Sequence, residues 1–145
     1  MALPALIAGL GLSARFTWWR PNLAGVPVLM YHYLTDDVAG TSLKKLRVSP
    51  SAFARQVDYL AGRGYQSMGL WDYFEHAAAG RVLPELPVII TFDDGGRDCL
   101  LRARDVLSRR GFTATVFPVA EYVGKTNIWD RPKGEPEIEL LNGDE

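Results

Sequence analysis

The sequence predicts an α/β fold in which parallel strands are joined by crossover helices, and three observations support this. Short apolar runs rich in β-branched residues alternate with longer segments whose apolar residues recur at helical spacing. The run Val88–Phe92 has no polar alternation, which is typical of a parallel strand that is covered on both faces. The order of strand and helix repeats along most of the chain, which favours parallel strands with right-handed crossovers. Both a doubly wound sheet and part of a barrel satisfy this pattern.

The first predicted strand is the apolar run Val26–Leu34. A loop rich in Asp, Gly, Thr and Ser follows over Asp36–Lys45. The next helix is predicted to begin at Pro50, because Ser49 is a favourable N-cap and proline is favoured at the first helical position. Gly62 and Gly64 mark its end.

The remaining elements are bounded by glycine or proline. They are a strand at Tyr65–Met68, a helix at Leu70–Ala79, a strand at Val88–Phe92, a helix at Gly96–Arg110 and a strand at Thr113–Val119. In the helix Leu70–Ala79 we expect Leu70, Tyr73, Phe74 and Ala77 to face inward, because they fall at helical spacing. From Glu121 onward the pattern decays and predicts a loop.

Composition places the chain among ordinary globular proteins. Its 145 residues suffice for one domain with a core. The net charge is −1 and the basic residues do not run together, so no nucleic-acid partner is indicated. The single cysteine, Cys99, cannot form an internal disulfide, and we interpret it as a small apolar residue on a helix.

Residues 1–20 form a hydrophobic N-terminal segment that is a candidate signal peptide or membrane anchor. Ala2–Leu12 carries no charge and suits a signal-peptide core better than a membrane span, which needs about 20 residues. Trp18 and Trp19 could instead lie at a membrane interface. We therefore predict an exported or membrane-associated protein of the cell envelope, with membrane association through residues 2–19. A buried N-terminal helix in a cytoplasmic protein is the alternative.

Two adjacent carboxylates follow the apolar run that we predict as the central strand. Asp93 and Asp94 come directly after Phe92 and lead into the glycines Gly95 and Gly96. Carboxylates at the end of a buried strand need a partner, a metal ion or a proton, because an unpaired buried charge is strongly unfavourable. They could simply cap the helix that follows, since acidic residues stabilise helix N-termini. They could also serve catalysis, because the carboxyl ends of barrel strands carry active sites.

The segment Thr91–Gly95, T-F-D-D-G, resembles the first motif of the polysaccharide deacetylase family, carbohydrate esterase family 4. Val26–His32 is also similar to the opening strand of many bacterial members. The resemblance implies an incomplete (β/α) barrel of the deacetylase type, with residues 26–145 as a deacetylase domain that is truncated at its C-terminus. It also implies a metal-dependent hydrolase that removes N-acetyl or O-acetyl groups from an acetylated polysaccharide.

Carried over by position, the resemblance assigns a role to each acid. Asp93 is the catalytic base, and Asp94 is a ligand of a divalent metal, for which zinc is the first expectation. Thr91, Gly95 and His32 are candidates for lining the site. The two histidine ligands of the family, in a His-Ser/Thr-x-x-His segment, are absent from this sequence.

Two alternatives stay open. The missing histidines would also suit a non-catalytic carbohydrate-binding or scaffold module. A phosphate-handling enzyme that uses the carboxylates for magnesium is a further hypothesis, although it needs more acids at strand ends.

Overall fold

The computed structural model describes residues 25–145, so the prediction for residues 1–20 lies outside the described part of the chain. Within residues 25–145, no helix is both long enough and apolar enough to cross a membrane. The strands are β1 (Val28–Tyr31), β2 (Tyr33–Leu34), β3 (Arg47–Val48), β4 (Gln66–Ser67), β5 (Pro87–Asp94) and β6 (Thr115–Pro118). The α-helices are α1 (Pro50–Gly62), α2 (Leu70–Ala78) and α3 (Arg97–Ser108), and short 3-10 helices lie at Lys44–Leu46, Ala120–Tyr122 and Ile128–Lys133.

Strand β5 lies at the centre of the main sheet and pairs in parallel with β1, β4 and β6. The amide of Ile89 donates to the carbonyl of Pro27 beside β1, whereas the carbonyl of Val88 accepts from the amide of Met68 beside β4. Adjacent residues of a strand point these groups to opposite edges, so β4 lies on the edge of β5 away from β1. Strand β6 pairs with the same edge of β5 as β4 does, but nearer the C-terminal end of β5. The sheet is not closed, and the predicted α/β fold with an incomplete barrel is confirmed.

A cluster of aromatic rings joins β1 and β5 to the helices. Tyr31 stacks on Phe92 with ring centroids 5.5 Å apart, and Phe53 of α1 meets Tyr31 edge-on at 5.1 Å. Phe53 is fully buried and Phe92 is 2% exposed. Burying a side chain of this size contributes about 1.5–3 kcal/mol, so these rings account for much of the attachment of α1 to the sheet. The helix α3 adds Cys99, Ala103 and Leu107 to the same core.

Helix α1 begins where the sequence predicts. The hydroxyl of Ser49 accepts a hydrogen bond from the amide of Ala52 at 3.1 Å, and Pro50 occupies the first turn. This side-chain cap satisfies one of the amides that a helix start leaves without a partner. The predicted boundaries Pro50 and Gly62 are therefore confirmed.

Helix α2 forms at the predicted place, but half of its predicted inward stripe is exposed. Leu70 and Tyr73 are half-buried, whereas Ala77 is exposed and Phe74 is 57% exposed, so no residue of the helix is fully buried. The helix is connected to the sheet mainly at its start, where the amide of Leu70 donates to the hydroxyl of Thr115 at 3.0 Å. Helical spacing correctly predicts a helix here, but it does not show whether another element packs against the apolar face of that helix.

The segment after β6 is more ordered than the predicted loop. Its backbone folds back onto the turn that follows β5, where the amide of Leu141 donates to the carbonyl of Gly95 at 2.8 Å. The amide of Arg97 donates to the carbonyl of Glu139 at 3.0 Å. Residues far apart in sequence thus enclose the C-terminal end of β5, which no local pattern could indicate.

Amide exchange should reveal β5 as the most stable part of the fold. Strands on both edges take up its backbone groups, and Val88–Phe92 is buried throughout, so these amides should exchange only on global unfolding. Helix α2, which buries none of its residues, serves as the internal comparison and should exchange faster. Mass spectrometry or NMR of the exchanging chain provides the measurement. Exchange of Val88–Phe92 as fast as that of α2 would contradict this topology.

Candidate functional site

The acid pair lies at the carboxyl end of the central strand. Asp93 and Asp94 are the last two residues of β5 and are half-buried. On one edge, Tyr31 is the last residue of β1 and pairs with Phe92, so that His32 follows at the same end of the sheet. On the other edge β6 runs alongside both acids, with Phe117 opposite Asp93. This is the end at which parallel α/β sheets bind their ligands.

The backbone turns sharply at the second acid. Asp94 has φ 66° and is the only residue other than glycine with a positive φ in the described chain, and Gly95 follows with φ 70°. Aspartate tolerates this left-handed conformation better than most side chains do, but it still costs energy. The turn therefore depends on contacts that hold it from outside, one of which is the packing of Gly95 against Pro118.

Neither acid caps the helix that follows, so the capping alternative is wrong. Helix α3 begins after Gly96, and no side chain caps it. Asp98 in its first turn instead accepts a hydrogen bond from the amide of Leu34 at 3.0 Å, and Arg102 donates to the carbonyl of Leu34 at 2.7 Å. Burial raises the pKa of Asp98, and the nearby charge of Arg102 opposes that rise. These contacts connect β2 to α3 beside the acid pair.

The two acids differ in their partners. The hydroxyl of Tyr33 donates to Oδ2 of Asp94 at 3.2 Å. Tyr33 is 3% exposed, and burial together with the charge of Asp94 raises its pKa well above the ordinary value, so the hydroxyl stays protonated. The carboxylate of Asp93, by contrast, makes no hydrogen bond or ion pair with any other described residue. One carboxylate is therefore held by a hydrogen bond, and the other has no side-chain partner among the described residues.

A third acid, Asp130, and a cation, Lys133, lie near the acid pair, and the sequence analysis predicted neither. Asp130 is 5% exposed and its Oδ1 accepts from Nζ of Lys133 at 2.7 Å. This bond raises the pKa of Lys133, and the carboxylates of Glu135 and Asp94 add to the rise. Asp130 and Lys133 lie in the segment that was predicted as a loop, so only the folding of that segment onto β5 reveals them.

Glu135 forms a buried polar cluster with the loop that follows β2, and this cluster was missed as well. One carboxylate oxygen accepts from the amide of Ser42 at 2.7 Å and from its hydroxyl at 2.6 Å, and the other accepts from the hydroxyl of Thr41. Arg47 approaches at 3.9 Å. The hydroxyls of Ser42 and Thr41 lower the pKa of Glu135 to about 2. The loop is thereby fixed to the C-terminal segment beside the candidate site.

The described residues do not complete a metal centre. A catalytic zinc ion typically has three protein ligands. No three His, Cys, Asp or Glu side chains of residues 25–145 come together in a way that could hold one. The ring of His32 makes no hydrogen bond with any residue in 25–145, and the carbonyl of His32 accepts from the thiol of Cys99 at 2.9 Å. His76 is remote from the acids in the chain and contacts its own helix through the carbonyl of Asp72. Asp94 thus remains a single candidate ligand.

The three remaining site candidates take different positions. Thr91 is buried, at 4% exposure, and shares a face of β5 with Asp93 by strand alternation. Gly95 is also buried, and Pro118 occupies the space beside its Cα. His32 is half-buried at the end of β1. The structure thus brings all three to the same end of the sheet as the acids.

Comparisons with known proteins agree with the resemblance seen in the motif. The chain is 33% identical over 101 residues to YxkH of Bacillus subtilis, whose name describes it as a polysaccharide deacetylase. This alignment covers 70% of this chain and 34% of the relative. It is 30% identical over 105 residues to the poly-β-1,6-N-acetyl-D-glucosamine N-deacetylase of Escherichia coli K12, covering 72% of this chain and 15% of the relative. No protein-family model matches the chain.

The fold agrees as well. The solved structure of a polysaccharide deacetylase from Bacillus cereus superposes with a TM-score of 0.59 at 28% identity, covering 83% of this chain and 34% of that chain. The chain therefore spans about a third or less of the length of the curated relatives it matches. The resemblance to the polysaccharide deacetylase family is confirmed over this part, in sequence and in fold.

Replacing Gly95 by alanine should destabilise the turn that carries the acids. A Cβ at Gly95 would lie 2.9 Å from Cα of Pro118 and 3.0 Å from its Cβ, in addition to the unfavourable φ. We expect a loss of about 2–4 kcal/mol in the free energy of unfolding, from the left-handed backbone and the overpacking together.

Gly111→Ala is the matched control, because Gly111 has φ +64° and no atom within 4 Å of a Cβ. It should cost only about 1–2 kcal/mol, the backbone component alone. Urea unfolding of both variants measures the difference. Equal losses would show that contact with Pro118 does not hold the turn.

Replacing Glu135 by glutamine should weaken the fold in a pH-dependent manner. The pKa of Glu135 is lowered from 4.5 to about 2, so its contribution to stability is present above about pH 4.5 and is lost as the pH falls through about 2. We expect Glu135→Gln to be less stable at neutral pH and to show a shallower loss of stability below pH 4.5 than the unmodified chain.

Glu85→Gln serves as the control, because Glu85 is exposed. Urea unfolding at neutral pH and at about pH 3 distinguishes the two variants. The same pH dependence in Glu135→Gln and in the unmodified chain would contradict the role of this cluster.

Proposed function

We propose that this chain, whose relatives and structural neighbours are polysaccharide deacetylases, contributes the catalytic base and one metal ligand to the hydrolysis of acetyl groups on a polysaccharide. The observation that carries this proposal is the acid pair at the carboxyl end of β5, in which Asp94 is held by Tyr33 and Asp93 has no partner among the described residues. Two adjacent carboxylates with different surroundings can take different roles.

Asp93 suits the role of general base. In the proposed reaction a water molecule attacks the carbonyl carbon of the acetyl group and gives up its proton, which Asp93 accepts. The bond from that carbon to the sugar nitrogen then breaks as the nitrogen takes up a proton, in net terms the one that Asp93 accepted, and acetate and a free amine are the products. A base must be within hydrogen-bond reach of the proton that it takes, and Asp93 is half-buried at the carboxyl end of β5 with no competing side-chain partner among the described residues.

A divalent metal, zinc as the first expectation, is the proposed cofactor. When bound, such an ion polarises the carbonyl and lowers the pKa of a coordinated water molecule. Asp94 is the ligand that residues 25–145 offer, and the remaining ligands are not among the described residues.

The proposed substrate is a polymer of N-acetylated sugars, with O-acetyl groups as the alternative. The Escherichia coli relative is named a poly-β-1,6-N-acetyl-D-glucosamine N-deacetylase, which supports the amide over the ester. His32, Thr91 and Gly95 are proposed to line the site. Export to the cell envelope remains a prediction that depends on residues 1–20.

One observation favours a second candidate function. Because no three potential ligands come together in the described residues, the chain could bind an acetylated glycan without hydrolysing it. The same observation does not favour a magnesium-dependent phosphate enzyme, because that enzyme would also need several carboxylates in one place.

We expect residues 1–145 alone to release no acetate from N-acetylglucosamine oligomers in the presence of zinc. One carboxylate cannot hold the ion tightly against water, because a catalytic site typically uses three protein ligands. Acetate release measured with an enzymatic acetate assay tests this. Activity that appears with zinc and disappears in Asp93→Asn would overturn the expectation and indicate a site completed in another way, for example between two copies.

A chimaera provides the decisive test of the catalytic role. The segment of this chain that aligns with YxkH replaces its counterpart in that protein, and acetate release from N-acetylglucosamine oligomers is measured with Asp93→Asn and with Asp105→Asn as the control. Asp105 lies on the exposed side of α3. We expect Asp93→Asn to reduce kcat by about 10²–10⁴-fold, as loss of a general base does, and Asp105→Asn to leave it unchanged.

The same proteins separate the two candidate functions. Glycan binding that is unaffected by a chelator and by Asp94→Ala, in a chimaera without hydrolytic activity, would favour the binding module. Hydrolysis that requires both Asp93 and Asp94 would favour the deacetylase.

A further inference from the structure

We propose that Tyr33 is a positioning residue for Asp94. Its hydroxyl holds Oδ2 and fixes the direction of the carboxylate, which leaves Oδ1 for a cation or a substrate. The functional part of this inference rests on the proposed role of Asp94, whereas the geometric part does not.

The contact joins two segments that are distant in sequence. Tyr33 begins β2 and Asp94 ends β5, 61 positions later. The oxygen atoms are 3.2 Å apart, which is long for a hydroxyl donor, so the contact acts more by direction than by strength. It is also the only hydrogen bond that the carboxylate of Asp94 receives from a described residue.

The ring of Tyr33 is held in place on two sides. The guanidinium of Arg47 lies 5.3 Å from the ring centroid, and Arg47 is paired with Tyr33 in the β2–β3 register. On another side the ring packs so closely on Gly96 that a Cβ there would lie 3.2 Å and 3.3 Å from two ring carbons. A ring confined in this way cannot follow the carboxylate, so the carboxylate must adapt to the ring.

Asp94 needs such a restraint because of its backbone. With φ 66° its Cβ does not point where an ordinary strand residue would place it. Its neighbour Asp93 carries the same charge, which would drive the two side chains apart. The hydroxyl of Tyr33 therefore selects one orientation of Asp94 and separates it from the free carboxylate of Asp93. The unusual backbone of Asp94 and the position of the Tyr33 hydroxyl are therefore parts of one arrangement.

Tyr31 provides a matched control two residues away. It is also buried, at 9% exposure, and its hydroxyl donates to the side chain of Gln56 at 2.7 Å rather than to an acid. Tyr31→Phe and Tyr33→Phe therefore each remove one hydroxyl from a buried ring, and only the second removes a contact with Asp94.

The test is NMR of the ¹³C,¹⁵N-labelled chain 1–145 at neutral pH, without added metal or substrate. In Tyr33→Phe we expect the Asp94 carboxyl carbon to shift and its side-chain couplings to become averaged, while Asp93 changes less. In Tyr31→Phe we expect the Asp94 resonance to stay where it is. An Asp94 carboxyl resonance and couplings that are unchanged in folded Tyr33→Phe would overturn the proposal.

A second measurement does not depend on the variant folding. In the unmodified chain the hydroxyl proton of Tyr33 should exchange slowly enough to be observed and should show a through-space contact with the side chain of Asp94. A Tyr33 hydroxyl that exchanges as fast as that of an exposed tyrosine such as Tyr59, which is 63% exposed, would overturn the proposal.

Failure of this inference is distinguishable from failure of the proposed function. In an active chimaera, Tyr33→Phe should lower kcat with little change in KM, as removal of a positioning contact at the reacting groups does. An unchanged kcat would overturn the functional part. An inactive chimaera that keeps the Asp94 shift supports the positioning contact and counts against the deacetylase.

Discussion

Hydrogen bonding along both edges of β5 is the constraint on which the rest of this structure depends. The strand takes β1 on one edge and β4 and β6 on the other, and its residues Val88–Phe92 are buried on both faces. A strand in this position cannot carry a charge along its buried run, because an unpaired buried carboxylate is strongly unfavourable. Asp93 and Asp94 are the first acids after the buried run. The architecture thus places them together at the end where β1 and β6 also finish.

The turn after β5 shows how a locally unfavourable conformation is maintained. Asp94 and Gly95 both have positive φ, and the contacts that hold them come from three other parts of the chain. Tyr33 donates to the carboxylate of Asp94, Pro118 packs on Gly95, and Leu141 donates to the carbonyl of Gly95. Strain of this kind persists only where the surroundings over-determine it, and it is frequent at functional sites. The acid pair therefore combines a rigid backbone with one free carboxylate.

Behind this turn lies a polar layer that connects the loop after β2 to the C-terminal segment. Glu135 is satisfied by Ser42 and Thr41, and Arg47 extends from it to the ring of Tyr33. The arrangement is not fully satisfied, because Nε of Arg47 is buried without a partner among the described residues. A buried donor without a hydrogen-bond partner costs about 1–3 kcal/mol, and here that cost accompanies the contact of Arg47 with the ring of Tyr33. The position of Asp94 is thus connected through Tyr33 and Arg47 to residues about forty positions farther along the chain.

Local patterns in the sequence are enough to predict the α/β class, the helix that begins at Pro50 after its Ser49 cap, and the acids at the end of the central strand. These features follow from periodicity, capping and the motif Thr91–Gly95, each of which involves neighbouring residues. The three-dimensional arrangement is needed to see that α2 exposes Phe74, that the acids do not cap α3, and that Tyr33, Asp130 and Glu135 gather near Asp94. The physical reason is that burial and partner choice depend on which segments meet in space, and hydrogen bonds between residues 61 or 93 positions apart leave no trace in local spacing.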